Sequence, residues 1–449
     1  MQTVAAAPPP LAEQWRPAFA ALAGLFLGLA LLKFGNPAVL DRLVTAPTNG
    51  WEYLLQPWPL AWAYTLLILL AFIGLAVADW RLPTPRWFVA LPALWLGWQL
   101  LAGAATDDTR LTALTLRYLV ATTAGFYLGL FALAPSPRLT IFWGALLGCF
   151  VAVLVSGFQQ RFGGLEAVRQ HIYSQPGWEN LPADYLKRLG TNRIFATLLY
   201  PNALAGAILL LLPPLAVFTW QRAERRMTTA ARVFLTALFA AAALACLYWS
   251  KSKAGWLIAV VMGGLWLSRL PLARKLKLAL AGLALVAGLT GFALRFSGYF
   301  EQGATSLGAR MDYWRAAWIT ACARPLLGSG PGTFAASYRA IKPPEAEMAL
   351  LAHNDYLQQA SDSGFLGALL YLAFVGGSLV LLGRRATSDP QSFAIWLGLL
   401  GWALQSAVEF GLYVPAVGWA AFWLLGLLWG QSARLGPPGI PVDAKPKPA

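Results

Sequence analysis

Only two histidines occur among the 449 residues, and one of them, His353, opens the stretch "HNDYLQQ" directly before a long apolar run. Histidine is the side chain whose charge changes nearest pH 7, so an imidazole at the exposed end of a helix can take a proton from a reacting group. Asn354 or Asp355 is placed to cap that helix, accepting backbone N–H groups that its first turn leaves unpaired. Tyr356, Leu357 and Ala360 then make a helically spaced apolar stripe, which predicts a short helix lying along a membrane interface toward the next apolar run. Three cations complete the chemistry. Arg193, Lys253 and Arg310 each lie close to the end of an apolar segment, where a positive side chain faces lipid head groups at the water boundary. His171 has no such neighbours and reads as a loop residue. Two distant histidines without a convergent carboxylate cluster make a poor metal site.

The elements that must position these residues follow from composition. The chain is 58% hydrophobic and only 12% charged, about half the charge of an ordinary soluble domain, and its mean hydropathy is +0.57. An all-α polytopic membrane protein is expected, with about twelve spans. Hydropathy places them at Ala18–Phe34, Leu60–Asp79, Trp87–Ala104, Leu114–Ala134, Leu139–Phe158, Phe195–Phe218, Val233–Trp249, Ala254–Ser268, Leu278–Leu294, Gly364–Gly383, Phe393–Val408 and Val414–Gln431. The first run lacks a basic stretch before it and reads as a membrane helix rather than a cleaved signal.

Alternate connections are basic: Arg81 and Arg86; Arg138; Arg222, Arg225, Arg226 and Arg232; Arg269, Arg274, Lys275 and Lys277; Arg384 and Arg385. With Arg16, Lys445 and Lys447, they orient the tails 1–17 and 432–449 toward the cytoplasm. The net charge of +15 is partly this asymmetry, and no nucleic-acid motif accompanies it. Cys149, Cys246 and Cys322 show no disulfide or ligand spacing.

The two longest connections, Gln159–Ile194 and Arg295–Ser363, then fall on the outer face, where a binding or catalytic subdomain is expected. Their Arg161, Arg169, Lys187, Arg188, Arg315, Arg324, Arg339 and Lys342 read as solvated surface, and the turn "SKSK" adds Lys251 and Lys253. Arg117 and Glu409, inside or at the edge of spans, read as structural partners within the bundle. Pro201, Pro213 and Pro214 are expected to bend one span beside Arg193. The glycines of "LLGSGPGTF" allow a tight turn and close backbone approach; they lack the strand and helix spacing of a nucleotide loop.

From Arg193 to the last span the chain resembles the O-antigen ligase and polymerase family of membrane glycosyltransferases. The resemblance is carried by "RIFATLLYPNALAG" from Arg193, by Ser252, Lys253, Ala254 and Gly255 in place of a Ser-Arg-Gly element, and by Arg310 and Trp314. The turn Leu326 to Phe334 and the set His353, Asn354 and Leu357 complete it, all in family order. Lys253 stands where the family usually has arginine, and Asp362 where glutamate is common.

The resemblance implies a GT-C-like fold in the bacterial inner membrane, with a periplasmic catalytic loop over 295–363 between spans nine and ten. It implies transfer of a glycan from undecaprenyl diphosphate to an acceptor hydroxyl, with O-antigen ligation to lipid A core preferred over polymerisation or protein glycosylation. His353 would be the general base, and Arg193, Lys253 and Arg310 would hold the leaving diphosphate. Asn354, Asp355, Tyr338 and Asp362 would support them. No cofactor or metal is called for; the partners are the lipid-linked glycan, a glycan or lipid A core acceptor and the bilayer. A secondary transporter is the main alternative of another class. It would place its site at the midplane of repeated halves, and no repeat is present.

Overall fold

The computed structural model describes residues 11–180, 186, 190–224, 226–301, 305–386 and 389–434. Lys187, Arg188, Arg225, Lys445 and Lys447, with most of both tails, lie outside these. The described residues form helices and their connections, with no strand among them. In chain order the helices are α1 (Leu11–Lys33), α2 (Gly50–Leu55), α3 (Leu60–Val77), α4 (Leu91–Ala104), α5 (Thr109–Leu128), α6 (Thr140–Gln159), α7 (Leu165–Tyr173) and α8 (Pro201–Ala223). They continue with α9 (Thr229–Trp249), α10 (Lys253–Arg269), α11 (Arg274–Glu301), α12 (Thr305–Ala323), α13 (Phe334–Ile341), α14 (Asp355–Arg385), α15 (Pro390–Gln405) and α16 (Pro415–Arg434).

Among the described residues, nine helical segments are long and apolar enough to cross a membrane. Helices α10 and α15, at 17 and 16 residues, fall short of that length. Their ends are given over to polar work: Lys253 opens α10 and Gln405 closes α15. A multi-pass membrane protein built of helices is the result.

Helix α16 is the axis of the bundle. Nearly every residue from Pro415 to Gly430 is buried, the mark of a helix apolar all round and enclosed by others. Trp419 and Trp423 pack against Phe26 of α1 at ring distances of 5.5 and 6.3 Å. Helix α11 is the opposite case, with lipid-facing Leu283, Val286 and Leu294.

The bundle has two distinct ends. At one, Arg16 donates to the Val77 carbonyl (3.2 Å) and Arg434 reaches Asp79 (3.2 Å). At the other, Ala416 N–H donates to the Phe34 carbonyl (3.1 Å), and Thr197 Oγ1 donates to the Leu31 carbonyl (2.7 Å).

Two departures from the hydropathy reading concern the segments that carry the site. Residues 195–200, expected inside a span, are not helical; α8 starts only at Pro201. Ala196 and Leu199 have φ of 52° and 61°, a conformation costly for residues with a Cβ. It is held by Gln160, whose Oε1 accepts from the N–H groups of Phe195 (3.0 Å) and Ala196 (2.8 Å) while Nε2 donates to the Ala196 carbonyl (2.9 Å). Downstream, α8 runs on through Pro213 and Pro214 without a break. Pro214 leaves the Leu210 carbonyl without its helical donor, and that oxygen packs closely against Gly398 of α15.

The second departure is α14. The expected interfacial helix after Asn354 exists, and Asn354 Oδ1 caps it by accepting from Leu357 N–H at 3.0 Å. It does not lie on a surface, however: Asp355 and the run from Gln358 to Gly364 are buried. The helix breaks at Ser363 and Gly364, where Gly364 takes φ 71° and ψ −178°.

A break inside a buried stretch of helix frees backbone groups that need partners. The glycine turn supplies them. Ser329 N–H donates to the Ser361 carbonyl (2.9 Å), Gly330 N–H to the Asp362 carbonyl (2.9 Å), and Phe365 N–H to the Pro325 carbonyl (2.8 Å). A side chain at Gly364 would collide with the Leu326 carbonyl as well as meet the wrong φ. Gly364→Ala is therefore expected to destabilise the protein by about 2 to 4 kcal/mol, read as a lowered unfolding midpoint in detergent. An unchanged midpoint would mean the break tolerates a Cβ.

Candidate functional site

At the end of the bundle that holds Phe34 and Ala416, His353 and Arg310 meet on one carboxylate, and Arg193 joins it through Asn202. Glu409 sits in the connection between α15 and α16 and is only 5% exposed. Its Oε2 lies 3.1 Å from His353 Nδ1. Its Oε1 accepts from Arg310 Nη2 and from Asn202 Nδ2. Asn202 Oδ1 in turn accepts from Arg193 Nη2 at 2.9 Å, while Arg193 Nε donates to the Ser250 carbonyl, also at 2.9 Å. Arg193, Arg310 and His353 are thus joined by one hydrogen-bond chain. Lys253 lies within Coulombic reach of Arg193, Arg310 and Glu409, its ammonium 5.4 Å from the Phe296 ring.

Burial pushes the Glu409 carboxyl up, but Arg310, His353 and Arg193 outweigh it and hold the group below the ordinary glutamate range. Glu409 is therefore ionised and can only accept hydrogen bonds. It follows that His353 Nδ1 carries a proton and donates it to Oε2. In the neutral ring Nε2 is then a free acceptor, which is the tautomer a general base requires. Burial, with Arg310 close by, lowers the Arg193 guanidinium against the opposing pull of Glu409. Arg310 Nε is buried with no acceptor among the described residues.

The imidazole is also fixed from other sides. Tyr313 stacks on it at 5.6 Å with an interplanar angle of 29°, and Phe410 meets it edge-on at 4.7 Å. Trp314 Nε1 donates to the His353 carbonyl at 3.3 Å. His353 itself has φ 50°, a left-handed conformation that costs energy in a histidine and persists only where its surroundings enforce it. Here Ala352 N–H on one side donates to Gln358 Oε1 (2.7 Å) and Asp355 N–H on the other to the Ser406 carbonyl (2.7 Å). His353 is accordingly half-buried, not at an exposed helix end.

The supporting residues stand elsewhere than the sequence suggested. Asp355 is buried and accepts from Leu412 N–H at 2.8 Å, so it fastens the connection that carries Glu409 and makes no contact with the imidazole. Tyr338 is fully buried behind Tyr313, at a ring distance of 5.1 Å, and its hydroxyl donates to the Glu347 carbonyl (3.1 Å). Asp362 accepts from Gly332 N–H (2.8 Å), Gln358 Nε2 (2.9 Å) and Tyr413 Oη (3.3 Å). It anchors the glycine turn. His171 is exposed on α7, and Arg117 is exposed on the side of α5 within Coulombic reach of Tyr64.

Glu409, Asn202 and Tyr313 escaped the sequence reading as members of the site. Glu409 was visible as a charge at a span edge, but nothing linear ties it to a histidine 56 positions away.

Further along α8, from Ile208 to Ala216, the helices α8, α9, α10 and α15 line a groove of about 260 Å³ with Leu212, Pro213, Leu244, Met262, Trp266 and other apolar side chains.

Because Glu409 balances several cations, Glu409→Gln is expected to destabilise the protein by about 3 to 5 kcal/mol at neutral pH. A carboxyl held below its ordinary 4.5 confers stability that is complete above about pH 4.5 and drains as pH falls through the lower folded value. The gap between wild type and variant should close on acidification, as read by unfolding midpoints across pH; a gap that widens would contradict the assignment.

Residues 237–372, which include Lys253, Arg310 and His353 but neither Arg193 nor Glu409, match the family model described as O-antigen ligase. No curated protein matches the chain. Over that segment, the chain's resemblance to the O-antigen ligase and polymerase family is shown.

Proposed function

We propose that the protein transfers a glycan from undecaprenyl diphosphate to an acceptor hydroxyl, most directly as the ligation of O-antigen to lipid A core. On this reading it resides in the bacterial inner membrane with its site on the periplasmic face. The observation that carries it is the bond from His353 Nδ1 to Glu409, on a carboxylate that also holds Arg310. One anion orients the base and positions a cation beside it.

The chemistry follows from that arrangement. The acceptor oxygen attacks C1 of the donor sugar, its proton passes to His353 Nε2, and the C1–O bond breaks with its electron pair leaving on the diphosphate. Charge develops on the leaving oxygens, so fixed cations stabilise the transition state more than the bound substrate. Arg310 and Arg193 supply two guanidiniums and Lys253 a third positive charge. Attack opposite the leaving group inverts the anomeric centre. The apolar groove between α8, α9, α10 and α15 supports the reading by offering apolar surface for part of a prenyl chain whose diphosphate would sit at the cations.

Purified protein incubated with undecaprenyl-diphosphate glycan and, separately, lipid A core, a free glycan or a protein acceptor is expected to glycosylate lipid A core. His353→Ala should lower the transfer rate by about 10² to 10⁴, and Arg310→Ala should lower it as well. Transfer to the other acceptors alone would move the assignment to polymerase or protein glycosyltransferase. Full activity of His353→Ala would remove the mechanism.

A further inference from the structure

A second group of cations gathers around the outer end of α9, beside the site but not on Glu409. The Arg161 guanidinium lies 5.9 Å from the Trp249 ring and that of Arg295 lies 5.2 Å from the Tyr248 ring. Lys251 follows in the same turn, its N–H donating to the Tyr248 carbonyl at 3.2 Å, with φ 53° fixing it there. Among the described residues none of the three has a carboxylate within ion-pair distance, and Arg295 Nε is buried without an acceptor. Burial and the surrounding charges of Arg295, Arg193 and Arg161 lower the Lys251 ammonium.

Like charges held together without a counter-ion are unfavourable unless an anion visits them. The surroundings say which kind. Tyr248, Leu294 and Phe162 are exposed apolar surface at this end, and α11 leaves Leu278, Leu283, Val286 and Leu289 exposed along its length. Aromatic rings under guanidinium groups, at the edge of a lipid-facing helix, fit the phosphate level of a bilayer.

We propose that Arg161, Lys251 and Arg295 form a binding site for the phosphate of a membrane lipid, separate from the pocket of His353, Arg310 and Glu409. If the transfer reading above holds, the site would anchor the phosphate of the acceptor lipid so that its sugar hydroxyl reaches His353; the binding itself does not depend on that reading.

The test titrates the full chain in an uncharged detergent with dihexanoyl phosphatidic acid, by calorimetry. Binding should be saturable and weaken with salt. The triple variant Arg161→Gln, Lys251→Gln, Arg295→Gln should lose about a hundredfold in affinity, and Lys251→Gln alone, which guards against misfolding, about fivefold. Arg310→Gln should bind as wild type. Unchanged affinity in both cation variants, equal binding of dihexanoyl phosphatidylcholine, or equally tight binding of inorganic phosphate would each overturn the proposal. Loss in Arg310→Gln but not in the triple variant would place the phosphate in the catalytic pocket, sinking this site while leaving the proposed function standing.

Discussion

The buried carboxylate of Glu409 organises the end of the bundle that carries the candidate site. Glu409 costs energy to bury, and it stays ionised only because Arg310, His353 and, through Asn202, Arg193 converge on it. The dependence runs both ways. Without the carboxylate, the cations would repel one another in a poorly solvated setting, and the imidazole would lose the acceptor that sets its tautomer. Because the carboxylate sits between α15 and α16, the central helix of the bundle also fixes the place of this cluster.

The second constraint is backbone hydrogen bonding. Helix α14 breaks at Ser363 and Gly364 within its buried stretch, and a buried break leaves peptide groups that need partners. The glycine turn after α12 answers this by lending its N–H groups to Ser361 and Asp362. The same logic explains Gln160, which satisfies the irregular stretch after Arg193 with both ends of its amide. Loops on either side of the site are therefore as tightly specified as the helices.

Much of this was legible in the sequence, for identifiable reasons. Apolar runs marked the helices because lipid enforces their length, and the Asn354 cap was readable because capping is local. The glycines of the turn announced close backbone approach. Illegible were features set by tertiary contact. The irregular residues 195–200 look apolar enough to continue a span, and they are held open by Gln160, just past the end of α6, and by the bond from Thr197 to the Leu31 carbonyl. Tyr338, Asp355 and Asp362 read as supporting residues through the family resemblance, while in the fold their polar groups bond the Glu347 carbonyl and the N–H groups of Leu412 and Gly332. Glu409 looked structural, because its partners lie in α12, in the segment before α14 and at the start of α8.

That Glu409 holds the proton of His353 on Nδ1 and leaves Nε2 free is open to direct measurement. With only two histidines in the chain, ¹⁵N spectroscopy of His171→Gln labelled at histidine observes His353 alone. At alkaline pH, where an imidazole is neutral, the account predicts a protonated Nδ1 and an unprotonated Nε2 in the presence of Glu409, with the two forms mixing in Glu409→Ala. A ring protonated on Nε2 in the otherwise native protein would contradict it.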